Sequence, residues 1–254
     1  MTLGIPTVAP VASAVALEQV SVAFQRPVLR AITLQVAPAE TVAIVGESGT
    51  GKSTLLRLIL GLQRPDHGTV RVMGSDVNAI DRHALRAIRA QVGMVFQGAA
   101  LFDSLTTFEN VAFGLREAGV LREDALRARV FETLALVDLD PEQVSHTLPA
   151  QLSGGMRKRV GIARAVAPRP ALVLYDEPTA GLDPLTSATV TDLMQRFQRE
   201  LQVTSVVVSH DIRAMLRIAD RVALLRDGAF AFLGAPEAMR VSDEPYTRAF
   251  LAAA

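Results

Sequence analysis

Residues 46–53 read Gly-Glu-Ser-Gly-Thr-Gly-Lys-Ser and match the pattern G-x-x-x-x-G-K-[ST] of phosphate-binding loops. The apolar, β-branched run Thr41–Val45 precedes them and a helical pattern over Lys52–Leu62 follows, so the loop joins a buried strand to a helix. Glycines let backbone N–H groups turn towards phosphate oxygens, and the helix N-terminus adds unpaired donors and partial positive charge. The stretch therefore predicts a strand–loop–helix unit that binds a phosphate-bearing ligand.

Two side chains of this loop have chemistry suited to that ligand. The Lys52 ammonium can reach the outer phosphates, and the Ser53 hydroxyl can ligate Mg²⁺. The residues expected to contact the ligand here are Gly46, Glu47, Ser48, Gly49, Thr50, Gly51, Lys52, Ser53 and Thr54.

An acidic pair follows a second buried strand pattern. The apolar run Ala171–Tyr175 ends in Asp176 and Glu177, which would be poor residues for a core. At the carboxyl edge of a parallel sheet they would instead face the ligand crevice. We expect Asp176 to hold Mg²⁺, directly or through water, and Glu177 to polarise an attacking water as the general base.

Strand and helix patterns alternate along the chain except in its middle. Strand patterns cover Val20–Phe24, Ile32–Val36, Thr41–Val45, Thr69–Met73, Ala171–Tyr175 and Thr204–Ser209. Helical patterns fill the interval of about residues 98–167, over Thr107–Ala118, Arg122–Val137 and Gly154–Ala167. Strands alternating with helices predict an α/β fold with a mostly parallel sheet, here carrying a helical insert.

Composition excludes several classes of protein. The chain has 254 residues, 26 basic and 26 acidic, and no cysteine. Balanced charge argues against a general nucleic-acid binder, so no nucleic-acid partner is expected. The lack of cysteine excludes a disulfide scaffold, a thiolate metal site and a cysteine nucleophile.

The N-terminal stretch is apolar but has the features of a loose tail. Pro6 and Pro10 interrupt it, and no basic residue precedes Arg26. We therefore interpret residues 1–16 as a flexible tail rather than an export signal, and residues 17–254 as one domain. No segment is apolar over the roughly 20 residues that a spanning helix needs.

The stretch Leu152–Met156, Leu-Ser-Gly-Gly-Met, lies upstream of the acidic strand. With the phosphate loop and the acidic pair, it makes the chain resemble the ATP-binding subunit of an ABC transporter, from about Leu17 to Leu251. The resemblance implies a P-loop NTPase core with an antiparallel β-subdomain and a helical insert. It also implies ATP hydrolysis with Mg²⁺.

The same resemblance assigns roles to residues that would otherwise mean little. Phe24 would stack on adenine, and Gln97 would link Mg²⁺ and the attacking water to a membrane partner. His210 would contact the γ-phosphate, and Asp183 belongs to the loop that crosses the dimer interface. Without the resemblance, Phe24 would be read as a core aromatic and His210 as a surface or capping histidine.

The Leu-Ser-Gly-Gly stretch also has a physical interpretation of its own. Ser153 is a suitable N-cap for the helix that follows, and Gly154 and Gly155 allow a phosphate to approach that helix end. The resemblance implies that these residues cap the nucleotide of a second copy, which makes the protein a homodimer. The basic residues of the following helix, which we interpret mainly as a solvated face, are Arg157, Lys158, Arg159 and Arg164.

Two departures point to a subgroup. Met156 stands where most of the family has glutamine, and residues 98–102 read Gly-Ala-Ala-Leu-Phe. Both features are similar to the MCE/Mla-type phospholipid-transport ATPases. The apolar residues Ala99–Phe102 are then expected to line the groove that receives a permease helix.

The function implied is that of an ATP-hydrolysing subunit that powers transport of phospholipid or another apolar substrate. It would lie at the cytoplasmic face of the membrane, bound to permease subunits and to an MCE-type lipid-binding protein. The first alternative is an importer of another solute class, such as an amino acid, a metal complex or a peptide. The second is a soluble ABC-type regulatory ATPase, against which exposed apolar residues after Gln97 would argue.

Overall fold

The computed structural model describes residues 13–119 and 122–253. The strands of this part of the chain are β1 Val15–Ala23, β2 Pro27–Val36, β3 Thr41–Val45, β4 His67–Val72, β5 Ser75–Asp76, β6 Val92–Val95, β7 Leu172–Asp176, β8 Thr204–Ser209, β9 Arg221–Arg226 and β10 Ala229–Gly234. Its α-helices are α1 Lys52–Ile59, α2 Arg82–Arg89, α3 Thr107–Ala118, α4 Glu123–Leu136, α5 Pro141–Val144, α6 Gly154–Val166, α7 Pro184–Leu201, α8 Ile212–Ile218, α9 Pro236–Arg240 and α10 Pro245–Ala253.

A six-stranded sheet forms the centre of the fold, in the order β10-β9-β3-β8-β7-β6. Its strands pair in parallel except β10, which is antiparallel to β9. Along β3, Ala43 and Val45 enter one apolar cluster, while Val42 and Ile44 enter the cluster on the opposite face. Because both faces are covered, the strand is apolar throughout, as the sequence predicts for a buried parallel strand.

A smaller antiparallel sheet, in the order β2-β1-β4-β5, shares a core with one face of the central sheet. The α/β fold with an antiparallel subdomain is thereby confirmed. The predicted boundary of the N-terminal tail is wrong at its end, because Val15 and Ala16 are buried residues of β1. Val15 pairs with Val36 across the sheet, so it belongs to the folded domain. The first twelve residues of that predicted tail lie outside the described residues.

Helices fill the interval between β6 and β7, where the described residues contain no strand. These helices lie within the region predicted for the helical insert. A capping box begins α3: Thr106 Oγ1 accepts from the Glu109 N–H, and Glu109 Oε2 accepts from the Thr106 N–H at 2.7 Å. The two Thr106 donors hold the pKa of Glu109 below its usual range. This box fixes where the helical region starts.

The parallel register brings four loops to one edge of the sheet. Val95 pairs with Tyr175, Asp176 with Val208, and Val45 with Ser209. The carboxyl ends of β6, β7, β8 and β3 are therefore adjacent, and the loop after each one opens on the same crevice. Within the described residues, no helix combines the length and the hydropathy needed to cross a bilayer.

Close contact between α6 and β6 generates a stability prediction. A Cβ at Gly93 would lie 2.5 Å from the Ala165 carbonyl oxygen, whereas one at Gly114 in α3 would lie 3.7 Å from Pro168. Gly93→Ala should lower the free energy of unfolding by about 1–3 kcal/mol because backbone must move. Gly114→Ala should raise it by about 0.5–1 kcal/mol, since alanine favours a helix interior. Urea titration of both variants provides the measurement, and equal stabilities would contradict this packing.

Candidate functional site

The phosphate loop leaves backbone donors free at the start of α1. Gly51 precedes the helix with φ at 104°, and no side chain caps the helix from this position. A Cβ on Gly51 would lie 2.8 Å from a methyl group of Val28, so only glycine fits both the conformation and the space. The unpaired N–H groups of the first turn are available to a phosphate.

Lys52 is buried at the mouth of this loop, with 6% of its side chain exposed. Its ammonium donates to the carbonyl oxygens of Gly46 and Glu47, at 2.8 and 2.9 Å, and lies 3.7 Å from Glu177 Oε1. Burial lowers the pKa of Lys52, and the charges of Glu177 and Asp176 oppose that shift. The ammonium is thus held where an outer phosphate can replace the loop carbonyls as its acceptor.

Oxygen donors suited to Mg²⁺ lie beside the loop. The Ser53 hydroxyl donates to Asp176 Oδ1 at 3.0 Å, and Gln97 lines the adjoining cavity. A hydroxyl, a carboxylate and an amide oxygen are hard ligands, and Mg²⁺ in nucleotide sites takes one or two carboxylates together with phosphate oxygens. These residues fit the ion, which when bound would neutralise charge on the phosphates.

Glu177 connects the lysine to the histidine. Its Oε2 accepts from His210 Nδ1 at 2.7 Å and from the His210 backbone N–H at 3.2 Å, while its Oε1 faces Lys52. The Glu177 backbone is left-handed, with φ at 48°, a conformation that costs a non-glycine residue about 1–2 kcal/mol. Such strain accumulates at functional sites, and here it holds a carboxylate where a water could be polarised.

One cavity of about 480 Å³ collects most of the predicted residues. Phe24 forms its rim and is 65% exposed, which leaves the ring face free to stack on a base. The lining consists of Phe24, Val28, Ser48, Gly49, Gly51, Lys52, Ser53, Thr54, Gln97, Glu177 and His210.

The Ser-Gly-Gly residues and Asp183 line a separate cleft of about 450 Å³, which shares no lining residue with the first cavity. Ser153 caps α6 by accepting from the Met156 N–H at 3.2 Å, as predicted. Asp183 caps α7, and the donors of Thr186 hold the pKa of this carboxyl below its usual range. The described residues therefore form two separate open clefts rather than one closed site.

The loop after Gln97 departs in part from expectation. We call residues 97–102 the Gln97 loop. Phe102, with Phe96 and Phe113, borders a groove of about 550 Å³, and each of these rings is 42–43% exposed. The expectation that all of Ala99–Phe102 line the groove is wrong, because Ala99 is buried and Leu101 packs against the core.

The basic residues of α6 face solvent only in part: Arg157 is exposed, and Arg159 and Arg164 are half-buried. Arg157 donates to the Leu152 carbonyl oxygen, Arg159 to that of Asp138, and Arg164 to those of the Gln97 loop. Lys158 is only 7% exposed. The interpretation of this stripe as mainly a solvated face is therefore wrong for Lys158, whereas the three arginines keep exposed surface. Met156 packs against the apolar core, in keeping with its lack of a polar role.

Tyr246 is a neighbour of the site that the sequence analysis missed. Its hydroxyl donates to Glu47 Oε1 at 3.1 Å, and the Arg226 guanidinium lies 4.2 Å from its ring centroid. Burial and the hydrogen bond to Glu47 raise the pKa of Tyr246. Because 199 positions separate the two partners, no local pattern could indicate that α10 contacts the phosphate loop.

Comparison with known proteins identifies the same family that the sequence motifs resemble. The family model described as "ABC transporter" matches residues 29–180, more than half of the chain. A relative from Xylella fastidiosa, the methionine import ATP-binding protein MetN, is 43% identical over 224 residues, which are 88% of this chain and 66% of that protein. The chain thus spans just under two thirds of the length of this relative.

Two solved structures share the architecture. The ATP-binding cassette MJ0796, described as a dimer in a post-hydrolysis state with ADP and Pi, has a TM-score of 0.80 at 34% identity over 87% of this chain and 98% of its own. The cbiO1 protein of Clostridium perfringens, part of the transporter complex cbiONQ, has a TM-score of 0.83 at 28% identity over 94% and 95%. Both likenesses extend over nearly the whole described fold.

Glu177→Gln should keep ATP binding while lowering the ATP turnover number by at least about 100-fold, because the amide cannot accept a proton from water. The variant should also accumulate as a dimer in ATP, which light scattering would detect. Glu200→Gln, a change of an exposed carboxylate in α7, is the matched control. Unchanged turnover in the Glu177 variant would remove this residue from the role of general base.

Proposed function

Because the chain belongs to the ABC transporter family, we propose that it is the ATP-hydrolysing subunit of a membrane importer for methionine or a related amino acid. The observation that carries the ATPase part is the single cavity in which the phosphate loop, Glu177 and His210 meet. The solute class rests on relatives that are 42–46% identical and bear the name of methionine importers.

The proposed chemistry is positioning and charge stabilisation. Lys52 and the loop N–H groups would stabilise charge on the transferred phosphoryl group. Glu177 would orient and deprotonate the attacking water, while His210 would hold the γ-phosphate end. Ser53, Asp176 and Gln97 would hold Mg²⁺, and Phe24 would stack on adenine.

Two copies are proposed to share each nucleotide. The separation of the cleft around Ser153–Gly155 from the phosphate cavity supports this, because neither surface encloses a ligand alone. A second copy, related by a two-fold axis, would place its Ser153 helix end over the first copy's nucleotide. The dimer described for MJ0796 is consistent with such an arrangement.

The groove beside the Gln97 loop is the proposed contact with the permease. Three partly exposed phenylalanines, Phe96, Phe102 and Phe113, offer an apolar surface for a partner helix. Docking there would hold the subunit peripherally at the cytoplasmic face of the membrane. Opening and closing of the dimer would then move the permease through Gln97.

Phospholipid is the second candidate substrate. Met156 and the Gly-Ala-Ala-Leu-Phe sequence of residues 98–102 favour it by resemblance to lipid-transport ATPases. The reported relatives support the amino-acid reading better, and none of them supports an MCE-type partner. The two candidates differ in the molecule expected to co-purify with the intact complex, and in whether loss of the gene lowers methionine uptake.

The shared-site proposal predicts complementation between two inactive variants. Lys52→Ala and Ser153→Arg chains should each lack ATPase activity alone. Mixed, half of the dimers become heterodimers with one intact composite site, so about a quarter of the wild-type rate should return. Steady-state ATPase assays of the mixture measure this. If each variant alone stays fully active, nucleotide sharing between copies is ruled out.

The substrate proposal predicts a transport defect. Deleting the gene in its source organism should lower uptake of labelled methionine at least about tenfold, and wild-type protein but not Glu177→Gln should restore it. Lipid analysis of the complex purified from membranes is the parallel measurement. Normal methionine uptake together with co-purified phospholipid would select the second candidate.

A further inference from the structure

A buried cation in α6 has no part in the chemistry described above. Lys158 lies five positions after Ser153 and is 7% exposed. A lysine ammonium is a compact charge with three donors, and it is rarely buried unless those donors have acceptors. Burial lowers the pKa of Lys158, and the charge of Glu177 opposes that shift.

The acceptors of Lys158 belong to two separate functional segments. Its Nζ donates to the carbonyl oxygen of Gln97, at the start of the Gln97 loop, and to the carbonyl oxygen of Glu177, at 3.5 Å. The Glu177 carbonyl also accepts from the Ala180 N–H at 3.2 Å. One ammonium thus ties the loop beside the groove to the backbone of the candidate general base.

The rest of the same α6 face holds the Gln97 loop. A Cβ on Gly161 would lie 3.1 Å from the Ala99 Cβ, and Arg164 donates to the carbonyl oxygens of Ala99 and Ala100 at 2.9 and 2.6 Å. Residues three apart share one helix face, so Lys158, Gly161 and Arg164 form a single row. Lys158 also donates to the Glu177 carbonyl oxygen, whereas the hydrogen bonds of Arg164 go to the Gln97 loop.

The segments held by this row are conformationally strained. Ala99 and Ala100 have φ at 62° and 49°, and Glu177 has φ at 48°, all in the left-handed region that non-glycine residues disfavour. Strained backbone persists only where surrounding contacts fix it. For Gln97 and Glu177, the buried ammonium is a contact common to both.

We propose that Lys158 is a positioning residue that fixes the Gln97 loop and the Glu177 backbone relative to each other. Movement of the groove is thereby passed to the carboxylate that activates water. This inference rests on the proposed ATPase function and deepens it. The inference adds to the proposed function the side chain that couples the permease contact to the hydrolysis step.

The test compares three variants of Lys158 in the full chain. Lys158→Met keeps length but removes every donor, and it should lower the ATPase turnover number at least about tenfold with KM for ATP changed less than about twofold. Lys158→Arg and Lys158→Gln keep N–H donors and should recover activity to within about threefold of wild type. In Lys158→Met the turnover number is expected to fall while KM for ATP is nearly unchanged, because Lys158 does not line the nucleotide cavity.

Arg129→Met is the matched control, because Arg129 also donates to a backbone carbonyl, that of Ala167, away from both clefts. It should lower the melting temperature without lowering turnover. If Lys158→Met keeps wild-type turnover, or if its loss equals that of Arg129→Met at equal stability, the inference is overturned. Two further results would instead count against the ATPase proposal itself: a wild-type protein without ATP turnover, or a Glu177→Gln variant with wild-type turnover. Neither is expected if only Lys158 lacks the proposed role.

A distance measurement gives a second readout that does not depend on activity. The chain has no cysteine, so spin labels can be placed on introduced cysteines at Asp103, just after the Gln97 loop, and at Leu185 in α7. The label-to-label distance distribution should broaden in Lys158→Met and stay narrow in Lys158→Arg and Arg129→Met. A distribution that is unchanged in Lys158→Met would overturn the inference even if that variant lost activity.

Discussion

The parallel register of β6, β7, β8 and β3 is the constraint on which the site depends. Asp176 lies opposite Val208 and Val45 lies opposite Ser209, so Glu177, His210 and Gly46 follow at one edge of the sheet. Side chains alternate across a strand, and a slip of one residue would move each side chain from the apolar cluster on one face of the sheet into the cluster on the other. The two apolar clusters on the faces of the sheet resist such a slip, so the core specifies the site.

The charged side chains at this edge have hydrogen-bond and ion-pair partners within the chain. Lys52 is held between two loop carbonyls and Glu177, and the same carboxylate accepts from His210. A buried ammonium and carboxylate that lacked such partners would be costly to desolvate. A phosphate entering the cavity therefore exchanges one set of acceptors for another, and it does not have to create the charge arrangement.

Local sequence was enough to predict parts whose signal is contiguous. The loop at residues 46–53, the strand Thr41–Val45 and the N-cap Ser153 each depend on neighbours in the chain. The hydrogen-bond partners of Lys158 could not be predicted in this way. They are backbone carbonyls 61 and 19 positions away, and every residue type carries a carbonyl. The tail boundary failed for a related reason: an alanine-rich composition concealed the pairing of Val15 with Val36.

The contact between Tyr246 and Glu47 has a consequence for synthesis on the ribosome. A nascent chain emerges N-terminus first, so Glu47 leaves the exit tunnel 199 residues before its phenolic partner. Until α10 is present the Glu47 carboxylate lacks this hydrogen bond, whereas the loop carbonyls that accept from Lys52 belong to the same segment as the lysine. The hydrogen bond on the Glu47 side of the phosphate loop is thus completed only when α10 docks, so this part of the loop reaches its folded contacts later than the residues that hold Lys52.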